Sequence, residues 1–463
     1  TLTHITRGAT SAADAWTLHV RLAVPGNASA VIGPRARGAR PRRRTRGGGL
    51  VTFSGTASAE RAAAAAASAS GGWSAEVRRD DDALTVLADE LRDLYDRSPA
   101  ATPFQAYAWL KSWWTWYGTP GRLRLALVRR DGRLVAAAPL MAAGRWGFPV
   151  LVPLAAGQSD FTDFLLDPVH TDGAVRHLTE ALLDEPGWCA LDLREVRPGS
   201  AAHLVAGSWP RGAWRMPSSV CLELPAADIA DVLGRLPGRA AGKMRAKLRK
   251  IDACGITAEP VSADRAAEAA GTLLDLHVQQ WRGRPINPEH TRERFRRHLA
   301  EAAAAMVRDG RAAIVEYRRD GRLVAGDLVL IGHRFVGAYL YGSVPELRGS
   351  VDVALMLLRH DLDLARERSR PAISLLRGEE PYKLKWRPDA VQNQRIILGR
   401  SAPAAAFAGL ARTRARLSAR WHHRVAVDHP APPLVPAPRP GEPGVHAAST
   451  GGAGGGSGRP GVR

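Results

Sequence analysis

The octapeptide Arg-Arg-Asp-Gly-Arg-Leu-Val-Ala occurs twice, at Arg129–Ala136 and Arg318–Ala325, 189 residues apart. In each copy, apolar runs flank an Asp-Gly pair. Both central residues of a type I′ turn need positive φ, and Asp-Gly meets that demand, so each copy is expected to be a β-hairpin. Eight matching residues can arise by chance in an Arg-rich chain; the neighbourhoods decide. Each hairpin is followed by a strand region (Phe148–Leu154; Phe335–Tyr341), a helix (Gly173–Leu183; Val351–Arg368) and a short apolar strand (Trp188–Val196; Ala372–Arg377). Before the first hairpin, Leu84, Leu87, Leu91 and Leu94 recur at helical spacing within Asp81–Ser98. A second helix, Phe104–Gly118, carries Trp109, Trp113 and Trp116 near one face. The order helix, hairpin, strand, helix, strand, met twice, predicts an α/β (α+β) protein made by tandem duplication.

Charge separates this middle from the ends. The formal net charge of +20 invites a nucleic-acid reading, which depends on where the charge sits. Residues 1–74 hold ten Arg against Asp14 and Glu60, with an Arg-rich run at 35–49 and an alanine run at 62–67. Residues 401–463 hold eight Arg against Asp428 and Glu442, then Pro-rich and Gly-rich stretches. Segments of this composition bury too little apolar surface to offset their ordering entropy, so both ends are expected to be disordered tails. They carry +14 of the charge, which leaves +6 for residues 75–400. Nucleic acid is therefore an unexpected partner for the middle, while the tails suit weak contact with anionic surfaces. Nearly all the basic residues are Arg. With the abundance of Ala, Gly and Pro, this looks like coding bias rather than chemistry.

Several classes are poorly supported. Cys189, Cys221 and Cys254 form neither a Cys-x-x-Cys pair nor a Cys/His cluster, so neither a disulfide framework nor a zinc site is expected. No run approaches about 18 uninterrupted apolar residues; the best, near 323–342, is broken by Asp327, His333 and Arg334. With no signal-like leader either, a cytoplasmic location is expected. The P-loop, His-Glu-x-x-His and Gly-x-Ser-x-Gly patterns do not occur, and no metal is expected.

Four segments then point to a family. They are the Phe104, Trp109, Trp113 helix, the basic helix Gly242–Lys250, the run Leu276–Arg284, and the closing Leu375–Trp386, which reads LLRGEEPYKLKW. Over roughly residues 80–400 the chain resembles the CelD/BcsL-type acetyltransferases of the GNAT superfamily, relatives of the FemAB aminoacyltransferases, which use a double GNAT fold. The resemblance implies two GNAT-like halves, 75–235 and 236–400, each a mixed, mostly antiparallel sheet flanked by helices. It further implies an acyl-CoA-dependent N-acyltransferase whose second half binds acetyl-CoA or another acyl-CoA. The acceptor would be an amine of a small molecule or of an envelope or polysaccharide precursor. One departure stands out: Ser374 replaces the acidic residue that often precedes the closing Arg-Gly.

The residues can be weighed against that chemistry. Backbone N–H groups at a helix N-terminus suit a pyrophosphate. The turn Tyr341–Val353 leaves a strand and enters a helix, which places Ser343, Leu347, Arg348, Gly349 and Ser350 as cofactor-binding candidates, with Ser350 as N-cap. An ordinary strand-to-helix turn reads equally well from the motif alone. The first half offers Ala155–Phe164 instead, with two acids and no Arg, so only the second half looks built for a polyanion. Tyr339 and Tyr341 should share one strand face. Tyr341, Tyr382 and Glu379 (or Glu380) are the catalytic candidates: a tyrosine to protonate the departing thiolate, a glutamate to accept the ammonium proton. Arg377 and Lys383 are candidates to hold an anionic group on the substrate, and His277 and Trp281 to line its site. A salt-bridge cluster at the last strand and a core histidine are the plainer readings. Two rival functions stay open. One is a FemAB-like transferase using aminoacyl-tRNA. The other is a non-catalytic basic binding protein with a vestigial GNAT core.

Overall fold

The structure is a computed structural model that describes residues 72–283 and 286–426. The expected tails at 1–71 and 427–463 lie outside it, as does Arg284. Both predicted hairpins form. Asp131 and Gly132 have φ of 50° and 81°, and Asp320 and Gly321 have 51° and 73°, as type I′ turns require.

The first half runs β1 (Trp73–Arg78), α1 (Ala83–Val86), α2 (Ala88–Asp96), α3 (Tyr107–Tyr117), β2 (Leu123–Arg130), β3 (Arg133–Arg145), β4 (Phe148–Pro153), β5 (Leu165–Leu166), α4 (Thr171–Asp184), β6 (Ala190–Val196), α5 (Ala201–Gly207) and β7 (Ala213–Pro225). After α6 (Ile229–Gly234) and α7 (Gly238–Asp252), the second half runs β8 (Ile256–Pro260), α8 (Ala266–Gln280), α9 (Glu293–Arg308), β9 (Ala312–Arg319), β10 (Arg322–Ile331), β11 (Phe335–Ser343), α10 (Leu347–Ser350), α11 (Val353–Glu367), β12 (Ala372–Arg377), α12 (Pro381–Leu384) and β13 (Asp389–Gly399). Apart from the short helices α1 and α10 and the two-residue β5, the second half repeats the first: strand, two helices, three strands, helix, strand, helix, strand.

The strands form one sheet in the order β1-β2-β3-β4-β6-β13-β7-β12-β11-β10-β9-β8. The last strand of each half is exchanged. β7 pairs with β12, β13 pairs with β6, and the two exchanged strands pair with each other at the centre. Pairing is antiparallel except for β4–β6 and β11–β12, the same junction in each half. One face of the sheet packs against α2, α3, α8 and α9 from both halves, around Phe104, Trp109, Leu273, Phe295 and Phe335. The other carries α4 and α5 over the first half and α11 over the second. Trp109 and Trp113 are buried, in line with the plain core reading.

The tail expected from 401 begins instead as a helix, α13 (Pro403–Ala426). Its Ala404, Phe407, Ala408 and Ala411 bury against Val150, Val152 and Ile397. Arg at the intervening positions made the segment look wholly solvated, yet a few apolar residues at helical spacing suffice to dock one side. Among the described residues, no helix is long and apolar enough to cross a membrane.

Candidate functional site

β11 and β12 pair only over Phe335–Gly337 and Ala372–Ser374, although β11 continues to Ser343 and β12 to Arg377. Beyond Gly337 the two parallel strands diverge. A β-bulge contributes: the register of β10 against β11 jumps from Leu328–Leu340 to Val329–Ala338, leaving Tyr339 with no residue opposite. Tyr339 and Leu340 therefore both join the core beneath α8 and α9, while Tyr341 joins the opposite face under α11. The expectation that Tyr339 and Tyr341 share a face fails because one extra residue resets the alternation. The Tyr339 hydroxyl donates to the Gln158 carbonyl at 3.2 Å, packed between Phe104 and Trp109. It is committed to the core.

The first half has the same divergence after Val150–Leu151, but there the gap is filled. Residues 155–164 fold into it, with Phe161 and Phe164 buried. Thr162 N–H donates to the Glu195 carbonyl at 3.0 Å, and the Trp109 and Trp113 indoles donate to Ser159 and Gln158. Asp163, buried beneath the start of α5, accepts from the Ala201 and Ala202 amides; burial still pushes its carboxyl up to about 7.

In the second half the gap opens into two adjoining cavities that share Tyr341, Ala354 and Tyr382. The outer one, about 490 Å³, lies at the N-terminus of α11 and is lined by Lys247, Lys250 and Lys385 with Gly349, Ser350 and Val353. Lys247 and Lys250 come from the basic helix α7, whose Ala241 and Ile251 anchor it in the core. The inner cavity, about 270 Å³, runs between α11 and the diverging strands to His277, His290 and Arg377.

Several sequence-predicted residues meet here, with changed roles. The N-cap of α11 is Asp352, not Ser350: its carboxylate accepts from the Leu355 amide at 3.2 Å. Burial opposes its ionisation, but Lys247 at 2.7 Å and Lys385 at 3.4 Å hold the carboxyl below its usual range. The Ser350 hydroxyl donates back to the Leu347 carbonyl. Leu347 is fully buried and shapes the turn from beneath. Gly349 lines the outer cavity, and Arg348 lies within α10 one residue before it. Ser343 lines the same cavity but is buried, its hydroxyl donating to Gln280 Oε1 at 3.0 Å.

Arg377 and Lys383 are not free to hold a substrate anion. The Arg377 guanidinium pairs with Asp160, and lies 3.8 Å from Glu195, both from the first half. Burial opposes its charge, and the two carboxylates outweigh it. Lys383, which is buried, donates to the Arg377 carbonyl at 2.7 Å and pairs with Glu380 at 2.9 Å. Both looked available because their partners stand in the other half or in the same turn. Glu379 is exposed and outside both cavities, whereas Glu380 lines the inner one. Tyr382 lines both; burial, then the neighbouring Tyr341 and Glu380, push its phenol upward.

His277 and Trp281 line the inner cavity as expected. The structure adds His290, which sequence reasoning missed. His277 Nδ1 lies 2.8 Å from the Tyr341 carbonyl and must donate to it, so its Nε2 accepts from His290 Nδ1 at 3.1 Å. Burial lowers both imidazoles; for His290, with His277 adding to the effect, the value falls to about 3. The pair is neutral at physiological pH. Gly342 makes this junction possible: a Cβ there would stand 2.5 Å from the His277 backbone nitrogen. Gly342→Ala is expected to lower the unfolding free energy by about 1–3 kcal/mol, since neither backbone can yield without strain. Urea denaturation checks it, and a change under about half a kcal/mol would mean that α8 moves freely against β11.

Among the described residues, no group of three or more His, Cys, Asp or Glu is placed to hold a metal ion. Comparison with known proteins extends these observations. A family model described as an acetyltransferase (GNAT) domain matches residues 238–384. A search of curated proteins found no match. Among solved structures, the crystal structure of FemX is similar at 12% identity and a TM-score of 0.50, over 66% of this chain and 95% of that one. The C-terminal domain of a putative lysylphosphatidylglycerol synthetase from Agrobacterium fabrum is 13% identical (72% and 97% covered, TM-score 0.46). A tandem GNAT protein from the clavulanic acid biosynthesis pathway is 16% identical (71% and 99% covered, TM-score 0.38). With its repeated strand and helix order, its two parallel junctions and its match to a GNAT acetyltransferase domain at 238–384, the chain has a fold of two GNAT-like halves.

Proposed function

We propose that the protein is an acyl-CoA-dependent N-acyltransferase acting on an amine, with donor and acceptor meeting where β11 and β12 diverge. The observation that carries this reading is the asymmetry of the two halves: the first-half gap is plugged by residues 155–164, while the second opens beside three lysines and a helix N-terminus.

An acyl-CoA fits the residues present. Lys247, Lys250 and Lys385 outnumber the one carboxylate among them, Asp352, and the N-terminus of α11 adds its partial positive charge. Lys250 and the first amides of α11 would hold phosphate oxygens, and Lys247 and Lys385 would turn to them from Asp352. When bound, acyl-CoA supplies an activated thioester acyl group. Tyr341 and Tyr382 line both cavities, and a tyrosine hydroxyl there can donate to a departing thiolate; the Tyr382 phenol is pushed upward, which keeps its proton in place. Glu380, on the inner wall, would take the ammonium proton, and its ion pair with Lys383 at 2.9 Å orients it. The neutral His277–His290 pair lines the acceptor side without repelling a cation. The acceptor enters from that side, opposite the lysines. The CelD/BcsL likeness in the sequence supports an envelope or polysaccharide precursor as its source.

Calorimetric titration of the full chain with acetyl-CoA, longer acyl-CoAs and tRNA tests the reading. Saturable acyl-CoA binding is expected, with affinity falling as salt rises. Binding of tRNA without acyl-CoA binding would replace it with the aminoacyl-transfer alternative.

A further inference from the structure

Two carboxyl groups stand in the inner cavity wall with no part in the proposed acyl transfer. Asp327 is on β10, directly opposite Tyr341 of β11, and Asp361 is on α11, packed over the same sheet face. Each is 3% exposed, and both line the cavity. Their carboxyls hydrogen-bond to one another, which requires one proton shared between them and leaves the second carboxyl to carry the charge, and burial raises both. Among the described residues no Lys, Arg or His forms an ion pair with either. Asp327 Oδ2 and Asp361 Oδ1 lack any hydrogen-bond partner, as does the hydroxyl of Tyr317, which is 2% exposed on neighbouring β9. Tyr317 belongs to the same face as Asp327, and both carboxyls act on its phenol electrostatically.

A buried charge left unpaired is strongly unfavourable unless a partner of opposite charge meets it. The two unpartnered carboxyl oxygens line the cavity, with the unpartnered Tyr317 hydroxyl on the neighbouring strand, and can accept from the N–H donors of one ammonium group. We propose that the Asp327–Asp361 pair, with Tyr317, is a binding site for a second, non-reacting ammonium group of the acceptor, so that the preferred substrates are diamines or other amines carrying two positive charges. This rests on the acyltransferase reading for the identity of the acceptor. The pair stands on the β10 side of β11, roughly 5 Å or one strand spacing from the β11–β12 gap. The group it holds is therefore distinct from the amine that reacts, and a short aliphatic spacer joins the two positions.

Calorimetry on the full chain, without any acyl donor, tests the site with 1,4-diaminobutane, 1-butylamine and 1,4-butanediol as probes. The diamine is expected to bind at least tenfold tighter than the monoamine, and the diol not at all. Asp327→Asn and Asp361→Asn should each weaken diamine binding tenfold or more. Thermal unfolding checks folding, and neither variant should melt below the wild type, because each replaces a buried carboxyl by a neutral isostere. Equal binding of diol and diamine, no diamine binding by the wild type, or undiminished affinity in both variants would each overturn the proposal. Acetyl-CoA titrated into the same samples reports on the donor site separately. Diamine binding with no acetyl-CoA binding would remove the acyltransferase reading and leave the ammonium site standing.

Discussion

Replacing Arg377 by Met is expected to lower the unfolding free energy by about 2–4 kcal/mol, the cost of removing one partner from a largely buried ion pair. Arg377 ends β12, and its guanidinium reaches Asp160 and Glu195 of the first half. Glu195 also accepts from Ser218 at 2.8 Å and from the buried Asn393 at 3.1 Å, so the cluster gathers β6, β7, β12 and β13 at one point. Without the cation, two carboxylates face each other across that junction. Urea denaturation of the variant and of Arg377→Met/Asp160→Asn forms the test. The double variant should recover part of the loss, since removing the second charge relieves the repulsion. A single-variant loss below about 1 kcal/mol would mean that the cluster is solvated enough to be dispensable.

Reversing two of the lysines should have the largest effect on ligand binding. Lys247→Glu/Lys385→Glu is expected to weaken acetyl-CoA at least ~100-fold, from two lost charge-assisted contacts of about 1.5–3 kcal/mol each. The repulsion of Asp352 against the new carboxylates adds to the loss. The control is Arg92→Glu, exposed on α2 and outside both cavities, which shifts net charge in the same direction without entering the site. Affinity that falls equally in the control would assign the effect to overall charge, and unchanged affinity in the lysine variant would remove the outer cavity as the donor site.

How far a feature can be read from sequence depends on the range of the interaction behind it. The Asp-Gly hairpins were legible because a type I′ turn is decided by two adjacent residues. The basic helix α7 was legible from the Lys and Arg run within Gly242–Lys250, and Lys247 and Lys250 do face a cavity. The strand-to-helix turn was placed correctly, but its cap was not: Ser350 and Asp352 are both capable residues, and only the path of the chain chooses between them. Tyr339 was misassigned to the face of Tyr341 because a bulge is invisible to an alternating pattern. Arg377 and Lys383 looked like ligands because sequence displays a charge without its partner; Asp160 lies 217 residues from Arg377. Asp327 and Asp361 did leave a signal. Asp327 interrupts an apolar strand, and Asp361 falls at helical spacing among Leu357, Leu358, Leu362 and Leu364; such an acid must be paired, protonated or waiting for a cation.

The exchange of β7 and β13 fixes when this protein can fold during synthesis. β6 finds its second neighbour only when Asp389–Gly399 has been made, about two hundred residues after β6 itself. Domains that fold as units can close while the ribosome is still translating the remainder of the chain. Here the first half must wait with its sheet edge at β6 uncovered until nearly the end of the described residues. Contacts of such separation slow folding, and an uncovered edge invites wrong partners. A nascent chain stalled before residue 389 would therefore hold two incomplete sheets rather than one finished half, and a chaperone that shields strand edges would find its client there.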